Sequence, residues 1–196
     1  MVASGESTSP LDRHGPVEDG TSSIQNYPIE SAIVGWIQSE HSRRIFGTAL
    51  DSSAGWEGWL QLELEMAFRD IFDIDLDTQV REQSQIFNQL ENPKKVDRET
   101  LLLPQTDNFK GMIIKLRCEN GATNGSAIQG LVQEDLDMVS KVKAQYKDYT
   151  FVVLAMACTL EAHEALTNIG LDPIPQTEYI VDDLGTMKVY KYAKRQ

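Results

Sequence analysis

Lys110-Gly111-Met112-Ile113-Ile114-Lys115-Leu116-Arg117-Cys118-Glu119 is the stretch on which the fold turns. Its residues alternate as in a strand: Met112, Ile114, Leu116 and Cys118 share one face, and Ile113, Lys115, Arg117 and Glu119 share the other. Such a strand suits a central place in a sheet, with one face on a helix and one on a polar site. The helix expected against it is Gly55-Trp56-Glu57-Gly58-Trp59-Leu60-Gln61-Leu62-Glu63-Leu64. At about 100° per residue, Leu60 and Ala67 fall within about 40° of Trp56, and Glu63 within about 20°. Glu63 therefore stands in an apolar face, where a carboxylate is costly unless paired, protonated or metal-bound. Helix and strand together point to one polar site in an α/β domain.

Working outward, the 196 residues suffice for one domain with a sizeable core. A hydrophobic share of 41% is ordinary for a soluble globular chain. No apolar run reaches the length of a membrane span, and the N-terminus lacks the basic-then-apolar pattern of a secretory signal. Cys118 and Cys158 lie in apolar runs and read as buried free thiols, which favours a cytoplasmic location. Thirty acidic against 18 basic residues give a net charge of −12, which repels phosphate backbones and argues against nucleic acid as a partner.

Residues 1–25, rich in Ser, Gly, Pro, Asp and Glu, read as a disordered tail, and 26–196 as a single domain. Pro28 to about Thr48 has helical spacing at Ile29, Ala32, Ile33, Trp36 and Ile37. A second helix is expected from about Ser53 to Phe72, followed by the acidic connection Asp73 to Asp77. That connection lacks the central Gly and late Glu of a calcium loop. Strands are expected over Val80–Leu90, Val96–Leu103 and Met112–Cys118, and a third helix over Ala127–Gln145. Tyr149–Cys158 reads as a strand buried on both faces, and Leu160–Asn168 as a helix capped by Thr159 and ended at Gly170. Glu161-Ala162-His163-Glu164 reads as helix surface, not as a metal pair. Asp183-Leu184-Gly185 marks a hairpin between Glu178–Asp182 and Thr186–Ala193, and the Lys-rich end Lys188–Arg195 reads as an exposed strand edge. The order predicts an α/β fold, one mixed sheet flanked by helices.

With these local sequences, the order resembles the PD-(D/E)XK nuclease-like superfamily, the restriction-endonuclease-like fold, over roughly Pro28 to Tyr192. The Gly55–Leu64 helix looks like the opening helix of one microbial branch, in which a glutamate faces the metal site. Arg81-Glu82-Gln83 looks like the start of that branch's first strand. Thr100-Leu101-Leu102-Leu103 stands where an Asp followed by apolar residues is expected, and Ile113-Ile114-Lys115-Leu116-Arg117 where an apolar pair precedes Glu-x-Lys. The helix containing Asp135 and Lys141 matches the one that follows. The resemblance implies a phosphodiesterase in which carboxylates hold Mg²⁺. Only Glu63 matches a metal-site carboxylate, however: Thr100 replaces the Asp, Lys115 the Glu and Arg117 the Lys.

An ammonium in place of a ligand oxygen removes one ligand and repels the ion. The expectation is that Lys115, with Arg117, neutralises Glu63 as a built-in cation, with Glu119 completing the cluster and no metal or cofactor bound. Three functions compete. The first is a catalytically degenerate nuclease-like protein that binds a protein partner or supports an assembly. The second is a metal-independent isomerase, cyclase or lyase that takes a small molecule into the old cleft. Its catalytic groups would be Glu63, Lys115 and Arg117, with Trp56, Trp59, Thr100 and Glu119 around the ligand. The third is a divergent Mg²⁺ nuclease with carboxylates at Glu63, Glu99 and Glu119. Ordinary core packing is expected for at least two of Trp36, Trp56 and Trp59.

Overall fold

A computed structural model of the chain describes residues 28–50, 56–78, 80, 86–88, 100–106, 110–120, 125–181 and 185–195. The expected tail at 1–25, most of the strand expected at 80–90, and Glu99 lie outside them.

Among the described residues the helices are α1 (Pro28–Gln38), α2 (Glu40–Leu50), α3 (Glu57–Phe72), α4 (Gly125–Met138) and α5 (Leu160–Asn168). The strands are β1 (Thr100–Leu103), β2 (Met112–Cys118), β3 (Thr150–Ala157), β4 (Asp172–Pro173), β5 (Tyr179–Val181) and β6 (Gly185–Arg195). The strand order is β1-β2-β3-β6-β4, with β5 on β6. Strands β2 and β3 are parallel, joined through α4, and the other pairings are antiparallel. The fold is therefore α/β, with one mixed sheet flanked by helices.

The first expected helix is two. The Ser39 hydroxyl accepts the Ser42 amide at 3.1 Å, so Ser39 ends α1 and caps α2. The third is shorter than expected: α4 stops at Met138 and gives way to 3₁₀ turns at Val139–Lys141 and Ala144–Tyr146. Helix α5 has the expected bounds, with Thr159 Oγ1 accepting the Ala162 amide at 3.2 Å and Gly170 beyond it at φ 85°.

Strand β3 has β2 on one side and β6 on the other, and helices cover both faces, so all eight of its residues are buried. Strand β6 is not an edge over most of its length: β3 lines one side, while β5 and β4 line the other as far as Lys191. Only residues 192–195 have the edge character expected of the whole tail.

The two faces of the sheet are separate cores. Met112, Ile114, Leu116 and Cys118 pack with Ile33, Trp36, Leu60, Leu64 and Phe68, so α1 to α3 cover that face. Ile113, Phe151, Val153 and Ala155 pack with Ile128, Val132, Ala162 and Leu166, so α4 and α5 cover the other. The position of every site residue follows from that division.

Candidate functional site: a buried charge cluster under α4

The alternation of β2 directs Lys115 and Arg117 to the α4 side. Asp135 of α4 meets them. Arg117 Nε and Nη2 donate to the two carboxylate oxygens at 2.6 and 2.9 Å, a fork-to-fork pair, and Lys115 Nζ lies 3.3 Å from Oδ1. Lys115 is 1% exposed, Asp135 2% and Arg117 8%, so water screens these charges little. Lys115 and Arg117 make further interactions besides these. Thr100, fully buried, is the cross-strand partner of Lys115 and stands on the same face.

Glu63 is elsewhere. It accepts from Trp36 Nε1 and pairs with His41 Nε2, each at 3.4 Å, among the helices of the opposite face. The sheet separates it from Lys115, so the expected pairing of Glu63 with Lys115 and Arg117 does not form. The physical reason lies in the helix wheel. The buried face of α3 is centred on Leu60, Leu64 and Phe68, and Glu63, 24% exposed, stands at its flank rather than in its middle.

Glu119 is also drawn away, to the start of α5. Its carboxylate accepts the amides of Cys158 at 2.7 Å and Thr159 at 2.9 Å, and the Thr159 hydroxyl at 2.5 Å. A buried anion at the positive end of a helix is a stable arrangement. It leaves Glu119 a structural capping group, not a ligand contact beside Lys115. Trp56 is 3% exposed, donates Nε1–H to the Glu119 carbonyl at 3.0 Å and packs on Phe46. Trp59 lies 6.0 Å from Trp36 and 6.5 Å from Trp56 between ring centroids. Trp36 and Trp56 belong to the core of the α1–α3 face and Trp59 packs against it, so neither Trp56 nor Trp59 walls a cleft at Lys115.

Of the expected site residues, the fold thus brings together Thr100, Lys115 and Arg117, and disperses Glu63, Glu119, Trp56 and Trp59. The missing partner was Asp135. It lies in line with Ile128 and Val132 on the buried stripe of α4, which Val139 continues in the 3₁₀ turn beyond. A carboxylate on an apolar helix face is the same signal that singled out Glu63, and it applies with more force to Asp135.

A second set of polar groups, half-buried at Glu57 and buried at Gln61, Glu65 and Arg69, runs along α3 at four-residue spacing. Glu57 accepts the Cys118 amide at 3.0 Å, and Gln61 Nε2 donates to the Thr100 carbonyl at 3.3 Å. Glu65 pairs with Arg69, whose guanidinium also donates to the carbonyls of Asp75 and Thr78. Arg69 therefore supplies the cation to the acidic 73–78 connection. Cys118 and Cys158 are free. Burial, with Glu57 and Cys158 nearby, pushes the Cys118 thiol well up, and burial with Glu119 nearby pushes Cys158 up to about 12. Neither is a ready nucleophile.

An open depression of about 330 Å³ is lined by His163, Glu164, Thr167 and Asn168 on α5, away from Lys115. His163 Nε2 lies 2.7 Å from the Thr186 carbonyl and must donate to it, and Nδ1 is hydrogen-bonded to the Tyr190 hydroxyl 3.1 Å away. Both ring nitrogens are thereby used within the fold. Among the described residues no group of three His, Cys, Asp or Glu side chains is placed to hold a metal ion. Nor is any helix among them long and apolar enough to cross a membrane.

No protein-family model, curated protein or solved structure matches the chain.

Proposed function

We propose that the chain is a catalytically degenerate relative of the PD-(D/E)XK nucleases that works by binding a protein partner or supporting an assembly. The observation that carries this reading is the use of Lys115 and Arg117. They stand at the strand positions where the resemblance expects Glu and Lys, and both are committed to Asp135 in a buried cluster. A metal-ligating oxygen has become a cation, and that cation's charge is compensated within the fold. The net charge of −12 also favours a protein partner over a polyanion. A small-molecule enzyme at this place draws less support, because α4 covers the groups that would line its floor.

The test combines titration calorimetry with Mg²⁺ and Mn²⁺ and a plasmid-nicking assay with either ion. The expected result is no saturable heat at micromolar metal and no nicking. Micromolar metal binding, or nicking, by the purified chain overturns the reading.

A further inference from the structure

Net charge conceals a segregated surface. Strand β3 begins at Thr150, which receives Arg195 as its cross-strand neighbour on β6, while the Gly111 carbonyl, just before β2, accepts its amide. This end of the sheet gathers Lys110, Lys147, Lys194 and Arg195, with Lys141 at the end of the first 3₁₀ turn before β3 and Lys143 between the two turns. Lys143 is half-buried and the other five are exposed. In segments 110–112, 139–150 and 192–195 these six cations face one carboxylate, Asp148, although the chain as a whole carries −12. None of the six forms an ion pair with a described residue. Lys194 and Arg195 lie on β6, and Lys110 and Lys147 come just before β2 and β3, so the cations crowd one end of a sheet whose adjacent strands lie about 4.8 Å apart.

The same end carries an open strand edge. Strand β4 meets β6 only at Asp172–Lys191 and Pro173–Tyr190. Beyond Lys191, β3 holds one side of β6, and no described strand pairs with the other. Residues 192–195 therefore present backbone donors and acceptors to an incoming strand. Lys194 and Arg195 repel a second copy of the same edge and favour an acidic one, so the residues that prevent self-pairing also select the partner.

We propose that residues 192–195 of β6, set among Lys110, Lys141, Lys143 and Lys147, are a docking edge for an extended acidic segment of a partner protein, which adds as a strand beside β6. The strand edge decides between polyanions: a peptide uses both its backbone and its carboxylates there, whereas a nucleic acid uses only its charge. The proposal deepens the binding function proposed above and rests on it.

The test uses the full chain and a capped peptide of about nine residues alternating glutamate and valine, long enough for one strand. The expected result is binding that weakens about tenfold between low and physiological salt and again in Lys194→Glu/Arg195→Glu. The amide resonances of residues 192–195 are expected to shift on titration, and N-methylation of alternate peptide amides is expected to abolish binding. Absence of binding at low salt overturns the proposal, as does binding indifferent to N-methylation. Tighter binding of a duplex oligonucleotide at the same surface also overturns it, in favour of a nucleic-acid face. Failure here leaves the non-nucleolytic reading standing, because that reading is decided by metal binding and nicking.

Discussion

Replacing Asp135 with asparagine turns one carboxylate oxygen into an amide nitrogen and keeps the shape of the side chain. It also leaves Arg117 and Lys115 without the anion that they approach at 2.6, 2.9 and 3.3 Å. At such separations each charge pair attracts by about 5 kcal/mol at an effective dielectric of about 20. Most of that is offset by the cost of desolvating the ions. Removing one partner reverses the balance, because the remaining charges stay desolvated, and the typical loss is about 3–5 kcal/mol. For a chain of this size that corresponds to a fall in Tm of roughly 6–20 °C. Urea unfolding followed by circular dichroism reads the loss directly. The triple variant Lys115→Met/Arg117→Leu/Asp135→Leu is expected to recover most of it, since an apolar cluster of similar volume carries no desolvation cost. A loss below about 1 kcal/mol in Asp135→Asn would refute the reasoning, because the pair would then behave like an exposed one.

Two further predictions follow from the ends of β2 and β3. Glu119→Gln keeps one acceptor but removes the charge at the start of α5, and is expected to cost about 1–3 kcal/mol. Hydrogen exchange at the Cys158 and Thr159 amides should quicken first, and unchanged exchange there would count against the capping role. The thiols give a pH dependence. Both are raised above the ordinary value of 9.0, Cys158 to about 12. Above pH 9 the unfolded chain therefore holds fewer protons than the folded one, and stability falls as pH rises towards 12. Cys158→Ala should flatten that decline by up to about 1.4 kcal/mol per pH unit. An unchanged slope would show that Cys158 ionises alike in both states.

How much of this was legible beforehand differs by element. Thr159 and Gly170 bracket α5 because a cap and a left-handed stop are local devices, complete within a few residues. The break at Ser39 is equally local, yet the apolar spacing of Ile29 to Ile37 masked it, and the hydroxyl that caps α2 reads in sequence as one more helical residue. Asp135 carries the same signal as Glu63, a carboxylate on an apolar helix face, and is therefore legible in the sequence. Glu119 follows β2 directly, but the start of α5 that captures its carboxylate comes from the far side of β3 in sequence.

The sequence by itself determined most of the elements, though not all of their bounds, and the two faces of β2, because alternation and helical spacing follow from backbone geometry and the drive to bury apolar side chains. It could not determine which helix covers which face. A period of two assigns Met112, Ile114, Leu116 and Cys118 to one side and Lys115 and Arg117 to the other, whatever lies above them. Only the packing placed α3 on the first side and α4 on the second, and so decided that Lys115 and Arg117 meet Asp135 and not Glu63. The pairing of buried charges is a long-range outcome, fixed when the sheet chooses its covering helices, and no local pattern encodes that choice.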